Sequence, residues 1–170
     1  MNRRYAQSFC FLREHLLKNN INNSIGVILI VACSILFSCA TTQQTQLKSN
    51  DAVVHNNRGF DYCQIGHYDQ AISDFSKAIE INPRLAHAYN NRGWAYIRKW
   101  QYDQAISDFT KTIEIDPGFV EAYFHRAVGY FLVEEYEKSL LDVIKAQQLG
   151  YQIPIEFLDD LGKAAGGIDV

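Results

Sequence analysis

Arginine and aspartate are spaced in this chain as partners would be. Arg58, Arg92 and Arg126 recur every 34 residues, and Asp74, Asp108 and Asp142 each follow one of them by 16. A guanidinium and a carboxylate at that interval can join the two helices of a hairpin, and such pairs more often fix register than create a ligand site. They are therefore expected to be structural bridges within or between units. The other chemically capable side chains do not converge. His55, His67, His87 and His125 fall at four different places in the period, none in an i, i+4 pair, and Cys63 has no cysteine near it. A metal needs convergent ligands, so no metal site is expected. No glycine-rich phosphate loop, serine-centred elbow or paired-carboxylate motif is present, which points away from an enzyme and from a cofactor.

The elements that position these residues are set by an internal repeat. Tyr68-Asp69-Gln70-Ala71-Ile72-Ser73-Asp74-Phe75 returns letter for letter as Tyr102 to Phe109. Asn56-Asn57-Arg58-Gly59 returns as Asn90-Asn91-Arg92-Gly93, and Ile79-Glu80-Ile81-Asn82-Pro83 as Ile113-Glu114-Ile115-Asp116-Pro117. Such a period decides the architecture before any single element is read. Each unit carries two amphipathic helical patterns. In the second, Tyr89, Trp94, Ala95 and Tyr96 mark one helix and Ala105, Ile106, Phe109, Ile113 and Ile115 the other. Pro117 cannot continue a helix and separates this pair from the next. Gly59, Gly93, Ala71, Ala78 and Ala105 leave room for a partner helix. The pattern predicts helices at 52–65, 69–81, 86–99, 103–115, 120–133 and 136–148, with a seventh from Pro154 to Ala165 whose Phe157, Leu158, Leu161 and Ala165 share one face. Asp51 is the expected N-cap of the first.

These motifs resemble the tetratricopeptide repeat. Tyr89, Gly93, Tyr96, Ala105, Phe109 and Pro117 match it in the second unit, with Thr112 where the family prefers Ala. Gly59, Tyr62, Ala71, Phe75, Ala78 and Pro83 match in the first, where His55 replaces an aromatic. A weaker third unit keeps Tyr123, Tyr130 and Ala146 but has Ala127 for Gly, Ser139 for Ala, Val143 for Phe, and no closing Pro. The resemblance implies an all-α, right-handed solenoid of three helix hairpins (52–85, 86–119 and 120–151) closed by a capping helix and tail at 152–170.

In that family the first helix of each unit lines a concave groove. The corresponding residues are Asn56, Phe60, Cys63 and Gln64 in the first unit and Asn90, Trp94, Ile97 and Arg98 in the second. Phe124, Val128, Phe131 and Leu132 follow in the third. Phe60, Trp94 and Val128 would form one apolar ladder, and Cys63, Ile97 and Phe131 another. An exposed apolar strip of that kind marks an interaction surface, and an extended peptide or amphipathic helix would be its guest. Some family members clamp a peptide's terminal carboxylate with two Lys, two Asn and an Arg. Only Asn91 matches that set. Asn56, Phe60, Glu121 and His125 stand at the other four positions, and Glu121 would repel a carboxylate, so this mode is not expected.

The N-terminal part reads differently. Arg3, Arg4, Arg13 and Lys18 against Glu14 make residues 1–38 basic, and Ile25 to Phe37 is an apolar run of 13 residues. That is short of the roughly 20 residues a membrane-spanning helix needs. A basic front and a short apolar middle read as an export signal. Leu36-Phe37-Ser38-Cys39-Ala40 resembles the lipobox of bacterial lipoproteins, which implies diacylglycerol on Cys39 and cleavage before it. Ala40 rather than Asp after the cysteine would favour the periplasmic face of the outer membrane. Ile30-Val31-Ala32-Cys33 is a competing box, and an uncleaved signal anchor is the other alternative. With cleavage at Cys39, residues 39–51 become a lipidated, polar tether, and Cys63 has no disulfide partner.

Of 16 Lys+Arg and 19 Asp+Glu, residues 1–38 hold four and one, which leaves 12 basic and 18 acidic side chains for the rest. An acidic body argues against nucleic acid, whose binding rests on phosphate neutralisation. The expectation is a non-catalytic adaptor or scaffold, lipid-anchored at the cell envelope, that holds a protein or peptide partner. The alternatives are a homo-oligomer with a self-filled groove and a pilotin-like assembly factor of a secretion or pilus system.

Overall fold

In the computed structural model the described residues are Ser34, Ile35, Ser38, Gln43 and residues 50–166. The chain divides into two units, Met1–Leu47 and Lys48–Val170. The four described residues of the first unit have helical backbone. Cys39, Cys33, most of the export-signal core and most of the expected tether lie outside the described residues. No described helix is long and apolar enough to cross a membrane.

Among the described residues of the second unit every regular element is a helix. Residues 50–64 form α1. It is followed by α2 (Tyr68–Ile81), α3 (Ala86–Arg98), α4 (Tyr102–Ile115), α5 (Val120–Leu132), α6 (Tyr136–Gln148) and α7 (Ile155–Ala164). Helices adjacent in sequence pack against one another, and α3 also touches α5, which makes an α-solenoid. One expectation fails at its start. Asn50 is helical, which puts Asp51 inside a helix rather than at its cap.

The helix–turn–helix joints repeat in backbone as well as in sequence. Gly66, Trp100 and Glu134 stand 34 residues apart, all with left-handed φ (78°, 62° and 63°). Between units the chain turns extended at Asn82 and Asp116, the C-caps of α2 and α4. Their side-chain oxygens accept from the N–H two residues on, at 3.1 and 3.0 Å, closing the turns that hold Pro83 and Pro117.

Close approach of paired helices has a specific cause. A Cβ on Gly59 would stand 2.7 Å from the Phe75 ring, and one on Gly93 2.7 Å from the Phe109 ring. Each phenyl is fully buried across the helix axis that the glycine leaves bare, and each contributes about 2–3 kcal/mol by leaving water. The third unit solves the same contact in reverse. Ala127 adds a methyl, Val143 replaces the ring, and Leu161 of α7 fills the remaining space, all three fully buried. Two further departures from the repeat pattern are hydroxyls with partners. Thr112 Oγ donates to the carbonyl of Asp108 at 3.0 Å. Ser139 Oγ donates to that of Ala127 at 2.8 Å, tying α6 to α5.

The three arginines each grip the aspartate 16 residues on with two hydrogen bonds. The distances are 2.5 and 2.6 Å for Arg58–Asp74, 2.8 and 2.8 Å for Arg92–Asp108, and 2.7 and 2.8 Å for Arg126–Asp142. A third contact reaches back to the preceding unit. Arg92 Nη1 donates to Ser76 Oγ at 3.0 Å, and Arg126 Nη1 to Thr110 Oγ1 at 3.1 Å. Tyr89 and Tyr96 flank the Arg92 guanidinium, and Tyr123 and Tyr130 flank that of Arg126. Hydrogen bonds from Arg58, aided by His55, hold the Asp74 carboxyl below its ordinary range against burial. At Asp108, flanked by units on both sides, burial outweighs Arg92 and pushes the carboxyl up.

Gly93→Ala is expected to destabilise the fold by about 1–3 kcal/mol, because the buried Phe109 ring has nowhere to move. Adding Phe109→Val, the exchange already present in the third unit, should recover part of that loss. Urea unfolding of the two single variants and the double variant measures the coupling. Strict additivity would refute the steric account.

Candidate functional site

A cleft of about 430 Å³ opens between the first two units. Phe60, Cys63 and Gln64 line it from α1, Tyr68 and Phe75 from α2, Asn90, Asn91, Trp94 and Arg98 from α3, and His125 from α5. Phe60 and Trp94 are 50% and 39% exposed, so two aromatic faces are open to a ligand. Among the described residues no Asp or Glu lines the cleft.

Two polar rungs cross from one first helix to the next, at a spacing of 35 residues. Asn91 Nδ2 donates to Asn56 Oδ1 at 3.1 Å. His125 Nδ1 lies 2.9 Å from Asn90 Oδ1. An amide oxygen only accepts, so the proton of this contact is on Nδ1, and burial keeps the ring in its neutral form. Burial drives its pKa down from the ordinary value to about 4, and only Glu121 opposes the shift. The ring packs against those of Trp94, Phe109 and Phe124, 5.2, 5.5 and 6.1 Å away between centroids. His125 has no place among the twelve groove residues expected from sequence. The 35-residue offset, one more than the repeat, was the signal that could have found it.

The expected groove residues separate into three groups. Asn56, Phe60, Cys63, Gln64, Trp94 and Arg98 remain on or beside the open surface of the first two units. Asn90 and Ile97 are buried, at 7% and 8% exposure. Asn90 reaches the cleft, but its amide oxygen is engaged by His125. Ile97 packs with Ala105 and Phe109, with α5 closing over it at Gly129, and so presents no ladder to a partner. In the third unit the strip is covered by the chain's own tail. Phe124 stacks on Tyr151 and meets Phe157 edge-on, and Phe131 meets Phe157 as well. Val128 is half-buried and Leu132 is 38% exposed. The continuous three-unit ladder is thus reduced to the Phe60–Trp94 pair, because an aromatic strip at the end of a stack is also where a capping helix finds its contact.

The charges are equally local. Arg58, Arg92, Lys99, Lys111, Arg126 and Lys138 pair with carboxylates, Lys99 with Asp69. Among the described residues Arg98 has no carboxylate partner. Its guanidinium sits 5.4 Å over the Tyr68 ring. Burial pushes the nearby Cys63 thiol up, opposed by Arg98, so the thiol stays protonated and is a poor nucleophile. The described residues hold no group of three His, Cys, Asp or Glu that could bind a metal. The cleft offers amides, aromatic faces and one cation, a set suited to recognition of a peptide.

The His125 shift has a signed consequence. Its folded pKa lies below the unfolded one, so its contribution to stability is complete above about 6.5 and is lost as the pH falls toward about 4. The loss is on the order of 3 kcal/mol. Urea midpoints at pH 7.5 and 4.5 should differ more in wild type than in His125→Gln, which keeps a donor for Asn90. An equal difference in both would refute the assignment.

Comparison with known proteins agrees with the fold. Residues 52–85 and 86–119 each match the tetratricopeptide repeat. Comparison with curated proteins gives no match. The first TPR domain of human RPAP3 is similar in structure, with a TM-score of 0.66 at 24% identity over 69% of this chain and 94% of that one. The first TPR of Spaghetti (RPAP3), bound to the HSP90 peptide SRMEEVD, gives 0.65 at 24% over 72% and 96%. The TPR2B domain of yeast Sti1 in its pHsp70 complex gives 0.60 at 27% over 70% and 96%. Residues 52–119 carry two tetratricopeptide repeats, within a TPR-like solenoid.

Proposed function

We propose that the chain is a non-catalytic adaptor that holds a peptide or helix of a protein partner in the cleft between its first two repeats. The observation that carries this is the open pair Phe60 and Trp94 above a floor of amides. Such a surface is an unfavourable one to leave in water. Similar TPR domains have been solved with peptides bound. Beyond His125, the third unit takes no part in this reading, since Tyr151 and Phe157 already pack on its Phe124 and Phe131. That self-covering is the one observation in favour of the second reading, a groove closed by the chain itself, and it stops short of the first two units.

A lipid on Cys39 would tether the adaptor to a bacterial envelope membrane, at the periplasmic face of the outer membrane. This part rests on the basic front, the short apolar run and Leu36-Phe37-Ser38-Cys39-Ala40. Two or three acyl chains would hold it firmly where one would not. Assembly of an envelope complex, as by pilotin-like lipoproteins, is a role of this class.

Two experiments test the proposal. Intact mass and detergent partition of the full chain and of Cys39→Ser should show an acylated, membrane-bound wild type and an unprocessed variant; an unmodified wild type would remove the anchor. A photo-crosslinker at Gln64 should trap a protein in cells, and Trp94→Ala should reduce that adduct about tenfold with helicity unchanged. Equal trapping from Leu141, outside the cleft, would place the partner elsewhere. Phe131→Ala should lower stability instead, because Phe131 packs against α7.

A further inference from the structure

Outside its first 38 residues the chain is acidic, yet the cleft lining has no carboxylate and one cation. Among the described residues, the one Lys or Arg that lines the cleft is Arg98, and it has no ion pair with Asp or Glu; its guanidinium sits over the Tyr68 ring, near the Cys63 thiol. Stacked there, its guanidinium is held at the cleft instead of sweeping freely, which lowers the entropy lost when it pairs. His125, the other ionisable nitrogen at the cleft, is neutral and engaged with Asn90. The ligand's negative charge therefore has one place to go.

The spacing restricts what carries that charge. Arg98 is one helical turn beyond Trp94 on α3, about 5–6 Å along its axis. Side chains two residues apart on an extended peptide face the same way about 6.5–7 Å apart. The cleft does not offer a terminal carboxylate a clamp. Asn56 and Asn91 are hydrogen-bonded to each other, and Glu121 is the charged neighbour of His125.

We infer that the cleft takes an internal, extended segment of a protein partner, in which an apolar side chain seated at Phe60 and Trp94 lies two residues from an Asp or Glu that pairs with Arg98. This rests on the peptide-binding reading above and adds the ligand's chemistry to it. A free C-terminus is not required.

The probe is an array of nonapeptides, acetylated and amidated so that neither end is charged. Each carries Phe or Leu at one position and Asp, Glu, Asn, Gln, Lys or Ala two positions away. The full chain in detergent is applied as wild type, Arg98→Gln and Trp94→Ala. Wild type should retain the acidic peptides about tenfold better than their amide counterparts, as expected for a charge-assisted pair, with the preference fading in high salt. Arg98→Gln should abolish the preference, and Trp94→Ala should weaken all peptides alike. Peptides retained through Trp94 with no acidic preference, or with one that Arg98→Gln leaves intact, would overturn this inference and leave the adaptor reading standing. Binding only when the terminal carboxylate is freed would also overturn it. Retention of no peptide would remove both.

Discussion

The structure depends on a half-buried guanidinium shared between consecutive units. Arg92 donates twice to Asp108 of its own unit and once to Ser76 of the unit before, between two tyrosine rings. Arg126 repeats the arrangement with Asp142 and Thr110. A buried pair of this kind gains little over well-packed apolar side chains, but removing one partner leaves a charge that water cannot reach. Its role is therefore to permit one rotation of unit on unit. The fork geometry of arginine suits this, since two nitrogens meet a carboxylate while a third points to the neighbouring unit. The curvature of the solenoid, and so the existence of a concave side, follows from repeating that rotation.

A stack built by repetition has ends, and the two ends differ. At the first unit Arg58 is half exposed, and its aspartate also lies 3.2 Å from His55 where later units have tyrosine. At the other end Phe124 and Phe131 would face water without a further unit, and α7 covers them. The contact residues change together there. The ring-into-glycine joint becomes an alanine–valine joint, and Leu161 takes the freed volume. Closing the stack therefore uses the aromatics of the third unit, which leaves Phe60 and Trp94 of the first two units open. A repeat protein cannot use the same apolar surface both to close its stack and to bind.

The cleft that remains is chemically quiet. Its thiol is protonated, its histidine neutral and its asparagines joined across units. Exposed aromatics and Arg98 stand above this rigid floor. Rigid surfaces with a few open anchors bind by losing little freedom, which is how a small groove can be selective.

Much of this was legible beforehand because a repeat writes its own alignment. The recurring Tyr-Asp-Gln-Ala-Ile-Ser-Asp-Phe octet determined helix order, lengths within a residue or two, and the small residues at close contacts. The 16-residue interval between each Arg and Asp was equally plain. Exposure was not. The sequence pattern lists Ile97 and Trp94 side by side, but whether a first-helix residue faces the groove or the next unit depends on the angle between units. That angle is set by Arg92, Ser76 and the packing of α5, contacts that no single unit contains. The rungs of Asn56 to Asn91 and Asn90 to His125 depend on the same angle. The capping by α7 was readable as an amphipathic helix but not as the covering of Phe124 and Phe131. Local sequence determined the units, and only the tertiary structure decided which of their apolar side chains remained for a partner, because burial is a property of neighbours and not of the residue.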